Sequence, residues 1–90
     1  MISIIIPTLN EEKNINSVIS QFKGISDIEI IVADGSSKDS TVKIAKKLGV
    51  KVYQNKRSEQ NIAKNRNLGA KHAKGDILIF IKAKGDGNKI

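Results

Sequence analysis

A chain of 90 residues with 39% apolar content and a net charge of +7 makes one small domain and is too apolar for wholesale disorder. Without cysteine it can form neither a disulfide scaffold nor a thiolate metal site, and it fits a reducing cytoplasm. No apolar run approaches the roughly 20 residues that a membrane-spanning helix needs, so no transmembrane segment is expected.

Charge is unevenly spread along the chain. Residues 1–37 carry two lysines against five acids, and residues 38–90 carry fourteen bases against four. A one-sided basic field attracts a nucleotide diphosphate, an acidic headgroup or nucleic acid, whereas the plain alternative is a Lys-rich solvated surface. The aromatics are Phe22, Tyr53 and Phe80. With two of these expected in the core, a base-stacking platform is not available and nucleic acid is disfavoured.

In chain order, Ile2–Ile6 reads as a first strand that Pro7 ends. A helix is expected from about Glu11, capped by Asn10, with Ile15, Val18, Ile19 and Phe22 spaced along one face. Gly24 stops it. Residues 28–33 are nearly continuous in apolar side chains, as expected for a parallel strand covered on both faces. A turn at Asp34-Gly35-Ser36-Ser37 leads to a second helix from about Asp39 to Leu48, ended by Gly49. A short third strand covers 50–53. Ser58 is the expected cap of a third helix running to about Ala73, and a fourth strand covers 76–81. The order β-α-β-α-β-α-β implies a Rossmann-like α/β fold: a mostly parallel four-stranded sheet with helices on both faces.

Ligands of such open sheets bind beyond the carboxyl ends of the strands, where strand order reverses. That rule selects Pro7–Glu11, Ala33–Asp39 and Lys82–Asp86. Thr8 offers a hydroxyl there. Asp34 offers a carboxylate for a base imide or ribose hydroxyl, and Gly35 allows close backbone approach. Asp39 reads as a cap of the second helix or as a carboxylate drawn to its N-terminal dipole, a structural role. Arg66 can fork onto a phosphate, and Gly69 permits close helix–sheet packing. His72 reads as a solvated helix residue without a partner. Neither the dinucleotide fingerprint nor the G-x-x-x-x-G-K-[ST] phosphate loop is present.

The segments IIIPTLNEEKNI, IVADGSSKDST and AKNRNLGAKHAKGDILIFI resemble, in order and spacing, the start of family-2 glycosyltransferases, which include the dolichol-phosphate mannose synthases. The resemblance covers about Ile2 to Ile81. It implies the GT-A fold and a site for a nucleoside diphosphate sugar of the UDP or GDP type. Carried over, it places Pro7, Thr8 and Glu11 around the base and ribose, Asp34 and Gly35 at the base, and Arg66 and Asn67 near the nucleotide.

Two departures from the family pattern stand out. The family ends its fourth strand in Asp-x-Asp, which holds Mg²⁺ or Mn²⁺ against the diphosphate; here Lys82-Ala83-Lys84 follows instead. Protonated lysines cannot ligate a hard cation, so no metal cofactor is expected. They can meet a diphosphate directly, making Lys82 and Lys84 candidate phosphate contacts; a lost site is the alternative. Family enzymes also continue well beyond this length, and no residue here reads as the base that deprotonates an acceptor. The expected organisation is therefore a nucleotide-binding domain over 1–81 with a divergent tail over 82–90. As a 90-residue chain it reads as incomplete for catalysis, and a noncatalytic binding or oligomerisation module is the rival. The apolar edge at 77–81 is expected to pair with a second copy or a partner chain.

Overall fold

The computed structural model describes residues 1–56 and 62–83. Seven elements follow in the expected order: β1 (Ile2–Thr8), α1 (Ile15–Ser20), β2 (Ile28–Asp34), α2 (Thr41–Lys47), β3 (Lys51–Gln54), α3 (Ile62–His72) and β4 (Ile77–Phe80). All strand pairings are parallel and the spatial order is β3-β2-β1-β4. Strand order thus reverses at β1, which carries β2 on one side and β4 on the other.

Alternation along the two central strands sorts the faces. Ile4, Ile6 and Val32 join Ile15, Val18 and Ile19 of α1 and Ala45 of α2 in one buried cluster. Ile5 and Ala33, one residue out of phase, turn to the opposite face and meet α3 at Gly69. Both faces of β1 and β2 are therefore covered, which explains their near-continuous apolar sequence. Each fully buried isoleucine contributes roughly 1.5–3 kcal/mol of burial free energy. Gly69 sets how closely α3 approaches: a Cβ there would overlap Cγ2 of Ile5 and reach Cβ of Ala33 at 3.4 Å.

Several local expectations are corrected. Asn10 does not cap a helix that begins at Glu11. It has a φ of 55°, and its side-chain oxygen accepts from the Lys38 amide at 2.8 Å. An N-cap needs an extended backbone and a side-chain oxygen that accepts from the first amides of its own helix, so the chain runs through turns and α1 starts at Ile15. His72 is not a partnerless solvated residue, because its ring stacks on Tyr53 with centroids 3.8 Å apart and planes 4° apart. Phe80 is not a core residue but is 36% exposed, and of the three aromatics only Phe22 packs against the core cluster. Gly24 and Gly49 do end their helical segments, with φ of 83° and 84° in the left-handed region. The expected Ser58 cap lies outside the described residues.

The amino ends of the strands carry a buried polar cluster that the sequence reading missed. Glu29 accepts from Ser3 Oγ at 2.6 Å, from the Lys74 amide at 2.6 Å and from Lys51 Nζ at 2.9 Å. Ser3 Oγ in turn accepts from the Gly75 amide at 2.8 Å. The Ser3 hydroxyl first, then the Lys74 amide and the Lys51 ammonium, hold the Glu29 carboxyl down at about 2 against the burial that opposes its ionisation. This cluster fastens the α3–β4 turn to β1 and β2, at the end of the sheet opposite the candidate site.

Candidate nucleotide site

Beyond the carboxyl ends of β1 and β4 lies a cavity of about 340 Å³ lined by Pro7, Arg66, Phe80, Ile81 and Lys82. It sits between the two strands where order reverses, as the topological rule requires. Pro7 comes from β1, Arg66 from α3 and the other three from β4 and its exit. The chain beyond β4 stays alongside β1, since the Ile81 amide donates to the Ile5 carbonyl at 2.9 Å and Ala83 is buried in the core cluster. Lys82, between these two anchored residues, is exposed.

The charge of this cavity is one-sided. Arg66 lays its guanidinium over the Phe80 ring, with Cζ 4.4 Å from the centroid. Among the described residues neither Arg66 nor Lys82 has an anionic partner, and none of those lining the cavity is an acid. No group of three metal-ligating side chains occurs among the described residues either. The described lining of the cavity offers a protonated lysine and no carboxylate or imidazole, which is not a donor set for a hard divalent ion.

Beside the cavity, Asp34 is fully buried. Its Oδ1 accepts from Thr8 Oγ1 at 2.6 Å and from Ser37 Oγ at 2.5 Å. Its Oδ2 accepts from the Ser37 amide at 2.7 Å and, more loosely, from Gln54 Nε2 at 3.5 Å. The carboxylate is thus a hub tying the ends of β1, β2 and β3 together. Ser36, with a φ of 67°, turns the chain out of β2 and donates to the Asn55 carbonyl.

The loops after β1 and β2 are zipped to each other. The Asn10 amide donates to Ser37 Oγ, the Glu11 amide to Thr41 Oγ1, the Glu12 amide to Asp39 Oδ2 and the Ser40 amide to Glu12 Oε1. Asp39 is not the cap of α2, a position that Ser40 takes, but from one residue earlier it accepts from the Thr41 amide at 3.0 Å. Burial opposes its ionisation, but the Thr41 hydroxyl and the Thr41 and Glu12 amides outweigh that and hold the carboxyl below its usual range. Asp39 is therefore occupied by the scaffold.

The structure brings Pro7, Arg66 and Lys82 to one cavity, with Thr8, Asp34 and Gly35 in the adjoining buried layer. Glu11 is half-buried and accepts from Asn14 Nδ2 at 3.2 Å. Asn67 lines a separate, shallower depression with Asn55, Lys64, Leu68 and Lys71. Lys84 lies outside the described residues. Sequence reasoning missed Asn65, which is 5% exposed, accepts from Asn55 Nδ2 at 2.7 Å and lies against Gly35, where an added Cβ would come within 2.7 Å of its Nδ2. The available signal was its place one residue before Arg66, facing the sheet while Arg66 faces out. Phe80 was also missed, because a phenylalanine in an apolar run reads as core.

The family model described as Glycosyl transferase family 2 matches residues 3–83. A dolichyl N-acetyl-alpha-D-glucosaminyl phosphate 3-beta-D-2,3-diacetamido-2,3-dideoxy-beta-D-glucuronosyltransferase of Methanococcus voltae is 38% identical, over 91% of this chain and 28% of its own length. Glucosyl-3-phosphoglycerate synthase from Mycobacterium tuberculosis, solved with Mn²⁺, UDP and glucosyl-3-phosphoglycerate, superposes with a TM-score of 0.73 at 34% identity, covering 92% of this chain and 33% of that one. S. aureus TarS in complex with UDP gives a TM-score of 0.73 at 33% identity, over 91% of this chain and 27% of that one. This chain therefore spans about a third or less of the length of these relatives.

Proposed function

Because this chain belongs to glycosyl transferase family 2, we propose that its switch-point cavity holds the nucleoside diphosphate of a sugar donor and that the protein it forms or belongs to transfers that sugar. The observation that carries this reading is the pair of cations, Arg66 and Lys82, lining one cavity without an anionic partner among the described residues. Arg66 forks onto one phosphate through two in-plane N–H groups, and Lys82 meets the other as a point charge. The lysine takes over the charge neutralisation that a divalent ion gives a departing nucleotide, so donor binding is metal-independent.

The base lies towards Thr8, Asp34 and Gly35. A base imide reaches the carboxylate most easily by displacing Gln54, whose bond to Oδ2 is the longest at 3.5 Å. The presence of UDP in two of the solved relatives supports a nucleotide as the ligand. A cysteine-free chain acting on a nucleotide donor fits the cytoplasm, and among the described residues no helix is long and apolar enough to cross a membrane. A noncatalytic binding or assembly module that keeps only the fold is the rival.

Calorimetric titration of the 90-residue chain with UDP and with GDP, each with and without Mn²⁺, tests the proposal. The expected result is binding that Mn²⁺ does not change and that Arg66→Ala or Lys82→Ala weakens about tenfold, the effect of losing one charge-assisted contact of roughly 1.4 kcal/mol. Both side chains are exposed, so the variants fold. Absence of binding under every condition overturns the proposal and leaves the assembly module. Binding that requires Mn²⁺ overturns the role given to Lys82.

A further inference from the structure

The cavity contains one aromatic ring, and it is placed unlike a core residue. Phe80 pairs with Ile5 in the β1–β4 register and so faces α3, yet it stays 36% exposed. What covers it is Arg66, with Cζ 4.4 Å above the ring. We infer that Phe80 is the positioning residue for Arg66: its ring holds the guanidinium flat at the cavity wall in the orientation that takes a diphosphate. This inference rests on the nucleotide reading of the cavity.

The argument is geometric. A guanidinium carries its five N–H donors in its own plane, and stacking engages only its face. A ring beneath it therefore fixes position and tilt while consuming none of the donors. An acidic partner would fix the side chain too, but it would occupy the donors and cancel the charge. Left without either, a long arginine on an exposed helix face populates many rotamers, and ordering it on ligand binding costs conformational entropy. The stack removes part of that cost beforehand.

The observed arrangement has each part of this device. Arg66 has no anionic partner among the described residues, the ring beneath its Cζ comes from the strand that also leads to Lys82, and all three side chains line the same cavity. Phe80 thus sets the relation between the two cations. It also explains an otherwise costly placement, a large aromatic left one-third exposed at the end of an edge strand.

A double-mutant cycle on UDP and GDP affinity tests this, using Phe80→Leu and Phe80→Tyr in the native and the Arg66→Ala backgrounds, with thermal midpoints measured alongside. The expected result is a two- to fivefold weaker affinity for Phe80→Leu, the size of an exposed cation–π contact, with affinity kept by Phe80→Tyr. In the Arg66→Ala background Phe80→Leu is expected to cost nothing further, because the ring acts only through the arginine. An unchanged affinity for Phe80→Leu, or an equal loss in both backgrounds, overturns the inference and leaves the nucleotide site standing. No UDP or GDP binding by the native chain overturns both.

Discussion

Asp34 is at once a candidate ligand group and the most heavily bonded side chain at the carboxyl end of the sheet. Its four donors come from Thr8, Ser37 and Gln54, and among the described residues no buried side-chain polar atom lacks a partner. Replacing it with alanine strands donors on β1, on β3 and in the loop after β2, so Asp34→Ala is expected to cost about 2–4 kcal/mol in urea unfolding, besides any effect on ligand. A stability unchanged within 0.5 kcal/mol, roughly the limit for surface substitutions, would show that the hub is dispensable. Glu29 allows a second test at this scale. Its folded-state value of about 2 lies below its ordinary 4.5, so its contribution is full above about pH 4.5 and is lost as pH falls towards 2. Native chain should lose on the order of 2 kcal/mol over that window beyond what Glu29→Gln loses. Parallel stability profiles of the two proteins between pH 6 and pH 2 would remove Glu29 as the cause.

Elements were legible where one physical rule acted alone. The apolar runs gave all four strands, and the glycines at 24 and 49 gave the helical stops because a positive φ suits glycine best. The start of α1 was not legible, since it depends on Asn10 bonding to Lys38, 28 residues away. At the site, motif and topology named Pro7, Arg66 and Lys82 as candidates, and the structure brings these three to one cavity. That Asp34 is enclosed by Thr8 and Ser37, or that Asn65 props Gly35, follows from cross-strand proximity that no local pattern encodes. Phe80 shows the converse, because an apolar alternation cannot say which residue at a strand end is covered by a cation. One element-level test concerns α3. Gly69→Ala places a methyl against Ile5 and should destabilise the chain by about 1–3 kcal/mol, read as a lower thermal midpoint, although alanine is the better helix former. A rise in midpoint would mean that α3 sits further from the sheet than the structure shows.

At the scale of the whole molecule the sheet is asymmetric at its edges. β3 begins and ends in the exposed polar residues Lys51 and Gln54, which discourage pairing, whereas Ile77, Leu78 and Ile79 of β4 are 57%, 39% and 40% exposed on an edge that no described strand pairs. Two copies joining antiparallel along β4 would satisfy the free backbone groups of both and cover these side chains. The 90-residue chain is therefore expected to self-associate, with light scattering after size exclusion giving a dimer at about 100 μM, a concentration typical of weak edge pairing. Ile77→Lys should return it to monomer. A native chain that stays monomeric at that concentration contradicts the expectation.

Tyr53 is the single tyrosine and the chain has no tryptophan, so fluorescence excited beyond the phenylalanine band arises from one ring. That ring belongs to β3 and lies flat against His72 at the end of α3. The molecule therefore carries a built-in optical gauge of whether its longest helix is seated on its sheet. Fluorescence of the unmodified chain reports the docking of the same helix that bears Arg66, without any label.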